Sequence, residues 1–288
     1  MANIFNLPDF MFTGIDKYKL SKWSKLTFLL KGLLLSYIHK KTNEEIFCRI
    51  MNFFYSSNGK IYFKKNKYFK VIENNKKMYF PNKRIDRIIV DHERHFFNLL
   101  DQYSINQLEI KDNDLVIDCG ANVGELYFSF LLNTQNIEYI AFEPDPAAFE
   151  CLSLNINNKS DNLYNFALSS NEGSMKFYLD TFGANSSIEH FGSEEFITVE
   201  TKTLDSFNFE NIKLIKLEAE GHEIEVLKGS VNTLKNTEYI TVDYGPEKGK
   251  EGNMTLPEVT NFLFKENFII ENASSNRYTC LFKNLNFS

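Results

Sequence analysis

The chain has 288 residues, of which 43% are hydrophobic, and a formal net charge of −6. This is enough apolar material for one large core and a smaller appendage. The four cysteines, Cys48, Cys119, Cys151 and Cys280, show neither metal-ligand nor redox spacing, and no segment resembles a secretory leader, so we expect a reducing cytoplasm.

The charge is distributed unevenly along the chain. Residues 1–90 carry 18 Lys and Arg against 6 Asp and Glu, and the remainder carries 14 against 32, so the net charges are +12 and −18. This predicts a basic N-terminal segment, 1–90, and a second domain, 91–288. The basic segment would attract phosphorylated sugars, acidic glycans, lipid headgroups or a neighbouring subunit; alternatively, it is a solvated face packed on its own acidic domain. Nucleic acid is not expected, because the aromatic residues of this segment form apolar clusters rather than a basic stacking platform.

Residues 22–41 are predicted to form a helix with an apolar middle, interrupted by Lys31 and bounded by lysines. About 20 uninterrupted apolar residues are needed to span a bilayer, and this run is shorter. The helix packs on another subunit in a homo-oligomer, covers the second domain, or makes a peripheral membrane contact. A hairpin of residues 68–71 and 77–80 and a helix over 91–103 are predicted to follow.

The most informative motif follows the apolar run 115–117 and reads Asp118-Cys-Gly-Ala-Asn-Val-Gly124. We predict a strand, a turn, a helix over 125–132 and a second strand, 139–142, which ends at Glu143. This is one half of a nucleotide-binding α/β sheet. Gly120 would keep space for a ligand across the strand end, and Gly124 would let the helix pack close to the sheet. Glu143 would reach both hydroxyls of a ribose.

The glycines of this motif are spaced Gly-x-x-x-Gly, which differs from the Gly-x-Gly-x-x-Gly of pyrophosphate-binding turns. The spacing therefore argues against a dinucleotide and favours a nucleoside without a pyrophosphate, such as S-adenosylmethionine. For the glycines alone, an ordinary strand-to-helix turn is the alternative.

Downstream, the pattern predicts a helix over 146–157, a third strand over 163–167 and an added strand pair, 174–179 and 196–201. The small-residue loop between the paired strands, 183–188, closes over the active site or is an exposed connection.

The fourth predicted strand, 212–217, is followed by four titratable residues: Glu218, Glu220, His222 and Glu223. Carboxylates held close together raise one another's pKa, and a nearby imidazole takes up a proton near neutral pH. We predict that Glu220 and His222 lie in the site, where such groups can serve as a general base, and that Glu223 caps the next helix. The alternative for His222 is a satisfied residue at the helix start.

The fifth predicted strand, 238–244, contains Asp243, which would emerge beside Glu218 and Glu220. No histidine or cysteine spacing requires a metal there, so none is expected. The last two strands, around 268–270 and 278–282, are predicted to pair antiparallel.

Four ordered motifs carry a family resemblance: Asp118 to Gly124, Phe142-Glu-Pro144, Asn165-Phe-Ala-Leu-Ser169, and Lys216-Leu-Glu-Ala-Glu-Gly-His-Glu223 with Val226-Leu-Lys-Gly229. In order and spacing they resemble FkbM-type S-adenosylmethionine-dependent methyltransferases, over residues 91–284. The resemblance implies a Rossmann-like class I methyltransferase: a seven-stranded, mostly parallel sheet with helices on both faces, after the smaller basic N-terminal helix and hairpin segment.

The same resemblance implies the cofactor residues. It assigns Asp118, Gly120, Asn122 and Glu143 to the cofactor, with Ser169 as a further contact. Gly124 and Glu218 are placed in the same cofactor site, although the family often has Asp where this chain has Glu218.

The expected reaction is methyl transfer from S-adenosylmethionine to a hydroxyl, with Glu220, His222 and Asp243 as the catalytic candidates. The expected acceptor is a sugar of a surface polysaccharide, such as capsule or lipopolysaccharide, or its phosphorylated or lipid-linked precursor. A secondary metabolite or an amine is the alternative acceptor. A nicotinamide-dependent oxidoreductase and a non-catalytic glycan-binding protein are the alternatives from other classes. The expected location is the cytoplasm, with or without contact at the inner face of the membrane.

Overall fold

The computed structural model describes residues 11, 20–72, 75–132, 136–156, 162–179, 187–188, 195–249, 251–275 and 277–287. The chain divides into two compact units, Met1–His95 and Phe96–Ser288.

The N-terminal unit combines helices with a small antiparallel sheet. Its elements are α1 (Lys22–Lys41), α2 (Glu44–Tyr55), β1 (Ile61–Lys64), β2 (Lys67–Val71), β3 (Lys77–Phe80) and a 3-10 helix (Lys83–Ile88). The sheet order is β1-β2-β3. The predicted helix and the pairing of residues 68–71 with 77–80 are confirmed. Strand β1 was not predicted; Lys65 and Asn66, with φ values of 53° and 57°, join it to β2 by a two-residue turn.

Among the described residues of this unit, one lysine is buried. Lys70 is 0% exposed, and its ammonium donates to the carbonyl oxygens of Ile88 at 2.7 Å and Ile89 at 3.2 Å. Burial lowers the pKa of Lys70 to about 8. These two hydrogen bonds join β2 to the last residue of the 3-10 helix and to the residue that follows it.

The C-terminal unit is built on a seven-stranded sheet. Its strands are β4 (Leu115–Cys119), β5 (Glu138–Phe142), β6 (Leu163–Tyr164), β10 (Ile212–Leu217), β11 (Thr237–Asp243), β14 (Phe268–Ala273) and β15 (Thr279–Asn284). Their order is β14-β15-β11-β10-β4-β5-β6. The pairs from β11 to β6 are parallel, whereas β15 is antiparallel to both neighbours. The predicted seven-stranded, mostly parallel sheet is confirmed.

Helices cover both faces of this sheet. They are α3 (His92–Gln102), which contains the boundary between the units, α4 (Glu125–Leu132), α5 (Pro146–Asn155), α6 (Glu223–Lys228), α7 (Val231–Lys235) and α8 (Leu256–Lys265). Successive strand residues point to opposite faces. Ile117 and Ile215 accordingly join the core that contains α6 and α8, whereas Val116 and Leu214 join the core that contains α4 and α5.

A second, smaller sheet has the order β7-β9-β8, and the chain enters it directly after β6. Its strands are β7 (Ala167–Leu168), β8 (Gly173–Tyr178) and β9 (Phe196–Lys202), and β12 (Pro246–Lys248) pairs separately with β13 (Asn253–Met254). The predicted pairing of β8 with β9 is confirmed, and the two strands run antiparallel. Of the predicted loop 183–188, residues 183–186 lie outside the described part of the chain.

The predicted continuous third strand, 163–167, is wrong. The chain pairs with β5 only over Leu163–Tyr164 and then enters the small sheet at Ala167. Asn165 separates the two pieces, because its Nδ2 donates to the carbonyl oxygens of Glu143 at 2.8 Å and Pro144 at 3.3 Å.

Candidate active site

The turn after β4 is fixed by hydrogen bonds to the neighbouring strand. The amides of Gly120 and Ala121 both donate to the Phe142 carbonyl, at 2.9 and 3.0 Å. Gly120 has a φ of +77°, and a Cβ there would lie 2.0 Å from the Glu218 carbonyl oxygen. The sequence predicts that a ligand would collide with a side chain at position 120. The structure shows that the loop after β10 already leaves no room for a side chain there.

Glu143 binds the same turn from the end of β5. Its Oε2 accepts a hydrogen bond from the Asn122 amide at 2.7 Å, and its Oε1 accepts one from the Asp145 amide at 2.8 Å. The residue is 6% exposed, and this burial is the main reason why its pKa is raised to about 7. Each carboxylate oxygen has a second lone pair, so the side chain can accept two further hydroxyl donors while both amides stay bound.

Gly124 ends the turn and lets α5 approach it. Its φ is +84°, and a Cβ there would lie 2.9 Å from Leu152 Cδ1. Nearby, Asn155 Nδ2 donates to the Val123 carbonyl at 2.8 Å. The helix that packs closely on Gly124 is therefore α5. The sequence predicts that Gly124 serves the packing of the following helix, α4.

Asp118 is buried beneath the turn. It is 1% exposed, its Oδ1 lies 3.0 Å from Lys216 Nζ, and its Oδ2 accepts a hydrogen bond from the Tyr139 hydroxyl. The Lys216 ammonium also donates to the Gly120 carbonyl at 2.7 Å. Burial by itself lowers the pKa of Lys216, but attraction to Asp118 and neighbouring groups raises it well above the usual value. Asp118 is thus connected to the turn through a charged lysine.

The ends of β10 and β11 carry an ion-pair network. Arg277 contacts Glu218 through Nη2 and Asp243 Oδ2 through Nε, the latter at 2.6 Å. Glu218 Oε2 also lies 3.1 Å from Lys216 Nζ and accepts a hydrogen bond from the Tyr103 hydroxyl. Burial raises the pKa of Glu218, but Arg277 and Lys216 outweigh it and hold the pKa well below its usual range. Glu218 is therefore ionised throughout the physiological range.

Glu247 completes what we call the carboxylate cluster: Glu218, Asp243 and Glu247. A Cβ at Gly245 would lie 3.0 Å from Glu247 Oε1 and 3.4 Å from Asp243 Oδ1, so both carboxylates border this glycine. Burial, followed by the charges of Asp243 and Glu218, raises the pKa of Glu247 to about 8. The residue is half-buried. A partly accessible carboxyl that titrates near neutral pH is suited to proton transfer.

The pKa of Asp243 is also raised, first by burial and then by the Glu218 charge, although Arg277 acts in the opposite direction. Its Oδ1 accepts a hydrogen bond from the Gly245 amide at 3.0 Å. Across the described residues, no group of three or more His, Cys, Asp or Glu side chains is arranged to hold a metal ion.

His222 lies behind this edge of the sheet, at the start of α6. Its Nε2 is 3.0 Å from Ser169 Oγ, and its Nδ1 is 3.9 Å from Glu225 Oε2. Both His222 and Ser169 are 4% exposed. The structure therefore brings the predicted catalytic histidine and the predicted cofactor serine together, in contact with each other.

Glu223, the first residue of α6, and Glu220, in the loop before it, occupy different environments. Glu223 Oε1 accepts hydrogen bonds from the Ala219 and Gly221 amides, both at 3.0 Å, so it supports the loop that precedes α6. Glu220 is half-buried with a φ of +49°, and its carbonyl accepts a hydrogen bond from Ser187 Oγ at 2.8 Å.

Four residues of the site were not predicted: Tyr103, Lys216, Glu247 and Arg277. Strand Ile212–Leu217 contains two lysines among apolar residues, Lys213 and Lys216, and a charge within such a strand signals a partner. This signal marks Lys216 as a candidate but does not separate it from Lys213, which pairs with Glu238. Tyr103 and Arg277 have no local signal, because they contact Glu218 from positions 115 and 59 residues away.

Two curated proteins are similar to this chain. The hexuronic acid methyltransferase AglP of Haloferax volcanii is 28% identical over 141 residues, which cover 47% of this chain and 57% of the relative. The 2-O-methyltransferase NoeI of Sinorhizobium fredii is 26% identical over 175 residues, which cover 53% of this chain and 72% of the relative. The match thus spans little more than half of the first relative.

Among solved structures, the methyltransferase FkbM from Methylobacillus flagellatus KT has a TM-score of 0.45 and 16% sequence identity to this chain. The alignment covers 68% of this chain and 56% of that one.

The family model described as "Methyltransferase FkbM domain" matches residues 118–270. This range is more than half of the chain, and it begins at Asp118 and contains the turn, Glu143 and the carboxylate cluster. The order of the strands in the seven-stranded sheet is a separate observation, and it is consistent with a methyltransferase domain. The chain therefore belongs to the FkbM methyltransferase family, with a class I methyltransferase domain that uses S-adenosylmethionine as its methyl donor.

Proposed function

We propose that this protein is an O-methyltransferase that acts on a sugar hydroxyl, in a surface polysaccharide or its precursor. The observation that carries this proposal is the carboxylate cluster, which provides a half-buried proton acceptor, Glu247, at the carboxyl edge of the sheet. The names of the two curated relatives, a hexuronic acid methyltransferase and a 2-O-methyltransferase, support a sugar acceptor and oxygen methylation.

The cofactor would be held at the turn after β4. The donor set there fits a nucleoside, because Glu143 is a buried carboxylate with free lone pairs for a ribose diol. Asn122 would present its side chain beside it, and Gly120 would leave the strand end open. Asp118 would act through Lys216, which holds the Gly120 carbonyl.

When bound at the turn after β4, S-adenosylmethionine would supply an electrophilic methyl group for transfer to the acceptor oxygen, with S-adenosylhomocysteine as the leaving group. The hydroxyl proton must leave as the oxygen–carbon bond forms, and Glu247 would accept it. Arg277, which pairs with both Glu218 and Asp243, would hold these two carboxylates ionised beside Glu247. Their negative charges disfavour an ionised Glu247, so its affinity for a proton is increased.

The other predicted residues would have the following roles. Glu220 would face the acceptor from the loop after β10, and Asp243 would orient Arg277 and tune Glu247. His222 and Ser169 would position the loop after β7 against the start of α6, with Ser169 close to the cofactor base. Glu218 would connect the cofactor turn to the acceptor side through Lys216.

The test is transfer of a radiolabelled methyl group from S-adenosylmethionine to nucleotide sugars, capsule or lipopolysaccharide fragments, secondary metabolites and amines. We expect label only on hydroxyl-bearing sugars. Label on amines alone would overturn the proposal, and S-adenosylmethionine binding without transfer to any acceptor would indicate a binding protein.

A matched pair of variants tests the role of Glu247. Glu247→Gln should lower kcat by about 10²–10⁴-fold and remove the rise in rate toward pH 8, while affinity for S-adenosylhomocysteine is unchanged. Glu251→Gln, four residues along the chain, is the control and should not change the pH profile. An unchanged profile in Glu247→Gln would remove Glu247 from the mechanism.

A further inference from the structure

Helix α1 carries an exposed apolar stripe along one side. Its members recur at helical spacing and lie within about 100° of one another around the helix axis. Each is between 46% and 79% exposed: Trp23, Leu26, Leu30, Leu33, Leu34 and Tyr37. Apolar surface of this extent on one helix marks an interaction site rather than scattered surface residues.

The opposite side of α1 is packed within its own unit. Gly32, Leu35 and Ile38 are buried, and the helix is anchored at its C-terminal end, where His39 Nε2 lies 2.9 Å from Asp86 Oδ2. The Ser21 hydroxyl accepts a hydrogen bond from the Ser24 amide at 3.1 Å and caps the other end. The apolar stripe is therefore displayed on a formed and anchored helix.

The charge of α1 indicates what covers the stripe. The helix contains five lysines and no acidic residue, and residues 1–90 together have a net charge of +12. Two copies packed stripe to stripe would bring these lysines together, which is unfavourable. An anionic lipid surface instead attracts each lysine while the apolar side chains enter the acyl boundary.

The order of residues along the stripe fits the same partner. Trp23 and Tyr37 lie near its two ends, with leucines between them, and Lys22, Lys40 and Lys41 flank it. Trp and Tyr favour the headgroup level, and lysines extend from it towards water. In the described part of the chain, no helix has the length and apolar content to cross a membrane, so contact would be along the surface.

We propose that α1 docks parallel to the surface of an anionic lipid membrane through its apolar stripe. This goes beyond the methyl-transfer proposal and does not depend on it. Docking would bring the enzyme to lipid-linked acceptors and would be released as salt screens the lysines.

The experiment is vesicle flotation with the full chain. Vesicles of phosphatidylcholine alone are compared with vesicles that also contain phosphatidylglycerol, over a range of NaCl concentrations. We expect binding to the anionic vesicles, weakening as NaCl rises. No binding to anionic vesicles, or equal binding to both compositions, would overturn the proposal.

Two variants that add the same charge separate the stripe from the rest of the helix. Leu30→Glu places the charge within the stripe and should weaken vesicle binding about tenfold or more, because an apolar side chain is lost from the contact. Ser36→Glu places it on an exposed position outside the stripe and should weaken binding much less. Both positions are exposed, so unfolding temperature and S-adenosylhomocysteine affinity should match the wild type.

The oligomeric state distinguishes the competing occupant. Analytical ultracentrifugation of the wild type without vesicles should give a species that Leu30→Glu does not alter. A dimer that Leu30→Glu dissociates would show that a second copy covers the stripe, and the membrane proposal would fail. Equal vesicle binding by Leu30→Glu and Ser36→Glu would also refute it.

Discussion

Replacing Glu143 by alanine should weaken cofactor binding far more than it weakens the fold. The carboxylate would accept hydrogen bonds from two ribose hydroxyls, and each charge-assisted hydrogen bond contributes about 1.5–3 kcal/mol. The variant loses both, a total of about 3–6 kcal/mol, so Kd should rise at least about a hundredfold.

The effect of Glu143→Ala on the cofactor-free fold is smaller, because two terms oppose each other. The Asn122 and Asp145 amides lose their acceptor, which costs about 1–3 kcal/mol each. The variant also removes a buried carboxyl whose pKa is raised from 4.5 to about 7. At pH 8, that shift means that the ionised Glu143 destabilises the folded protein by about 3 kcal/mol, and the alanine variant no longer has this cost. The net loss of unfolding free energy should be at most about 3 kcal/mol.

Isothermal titration calorimetry with S-adenosylhomocysteine measures Kd, and urea denaturation measures the fold. The control is Asn165→Ala, which removes hydrogen bonds to the Glu143 and Pro144 carbonyl oxygens but leaves the carboxylate in place. Its Kd should change by less than about tenfold, because the two lost hydrogen bonds are neutral, bind backbone carbonyls and leave the Glu143 carboxylate in place. A folded Glu143→Ala variant with a Kd within tenfold of the wild type would refute the reasoning.

Three further predictions concern the same unit. Between pH about 4.5 and about 7, Glu143 keeps a proton in the folded protein that it releases in the unfolded chain. The contribution of Glu143 to the free energy of unfolding should therefore fall as pH rises through this range. The affinity for S-adenosylhomocysteine should rise over the same range, because the ionised carboxylate binds the ribose. Gly120→Ala should cost about 3 kcal/mol or more in urea denaturation, because a Cβ there meets the Glu218 carbonyl at 2.0 Å. Lys216→Met should cost about 3–5 kcal/mol, because it leaves Asp118 buried without its partner.

Each of these predictions has a clear contrary result. Affinity that does not vary between pH 5 and about 7 would mean that Glu143 is already ionised there. A Gly120→Ala variant with wild-type urea midpoint would show that the loop after β10 yields easily. A loss below about 1 kcal/mol for Lys216→Met, measured against Lys213→Met as the control, would show that the buried pair contributes little.

Much of the fold could be predicted because its apolar segments are short, regular and clearly bounded. Helix α4 and strand β10 have the predicted bounds, and strands β8 and β9 pair as expected. The third strand could not be predicted correctly from local pattern. A single polar residue, Asn165, among apolar neighbours is compatible with a continuous strand, and only its tertiary hydrogen bonds show where the chain leaves the main sheet.

The site divides in the same way. Its glycine turn and Glu143 are close in sequence, and their spacing reflects one helix and one strand, so they could be predicted. The partners of Glu218 could not, because Tyr103 and Arg277 come from distant parts of the chain and meet it only in the folded protein. The separate roles of Glu220, His222 and Glu223 could not be predicted either. They are neighbours in a run of titratable residues, and only their burial and hydrogen bonds in the folded protein distinguish them.

The small sheet has a consequence for engineering. The Leu179 amide donates to the Glu195 carbonyl at 2.9 Å, so the two ends of the segment between β8 and β9 are joined to each other. At its base, the Ser169 amide donates to the Lys202 carbonyl at 2.9 Å. Substitutions of side chains in β8 and β9 leave backbone hydrogen bonds in place, so the exposed positions of β8 can be varied while the small sheet keeps its pairing.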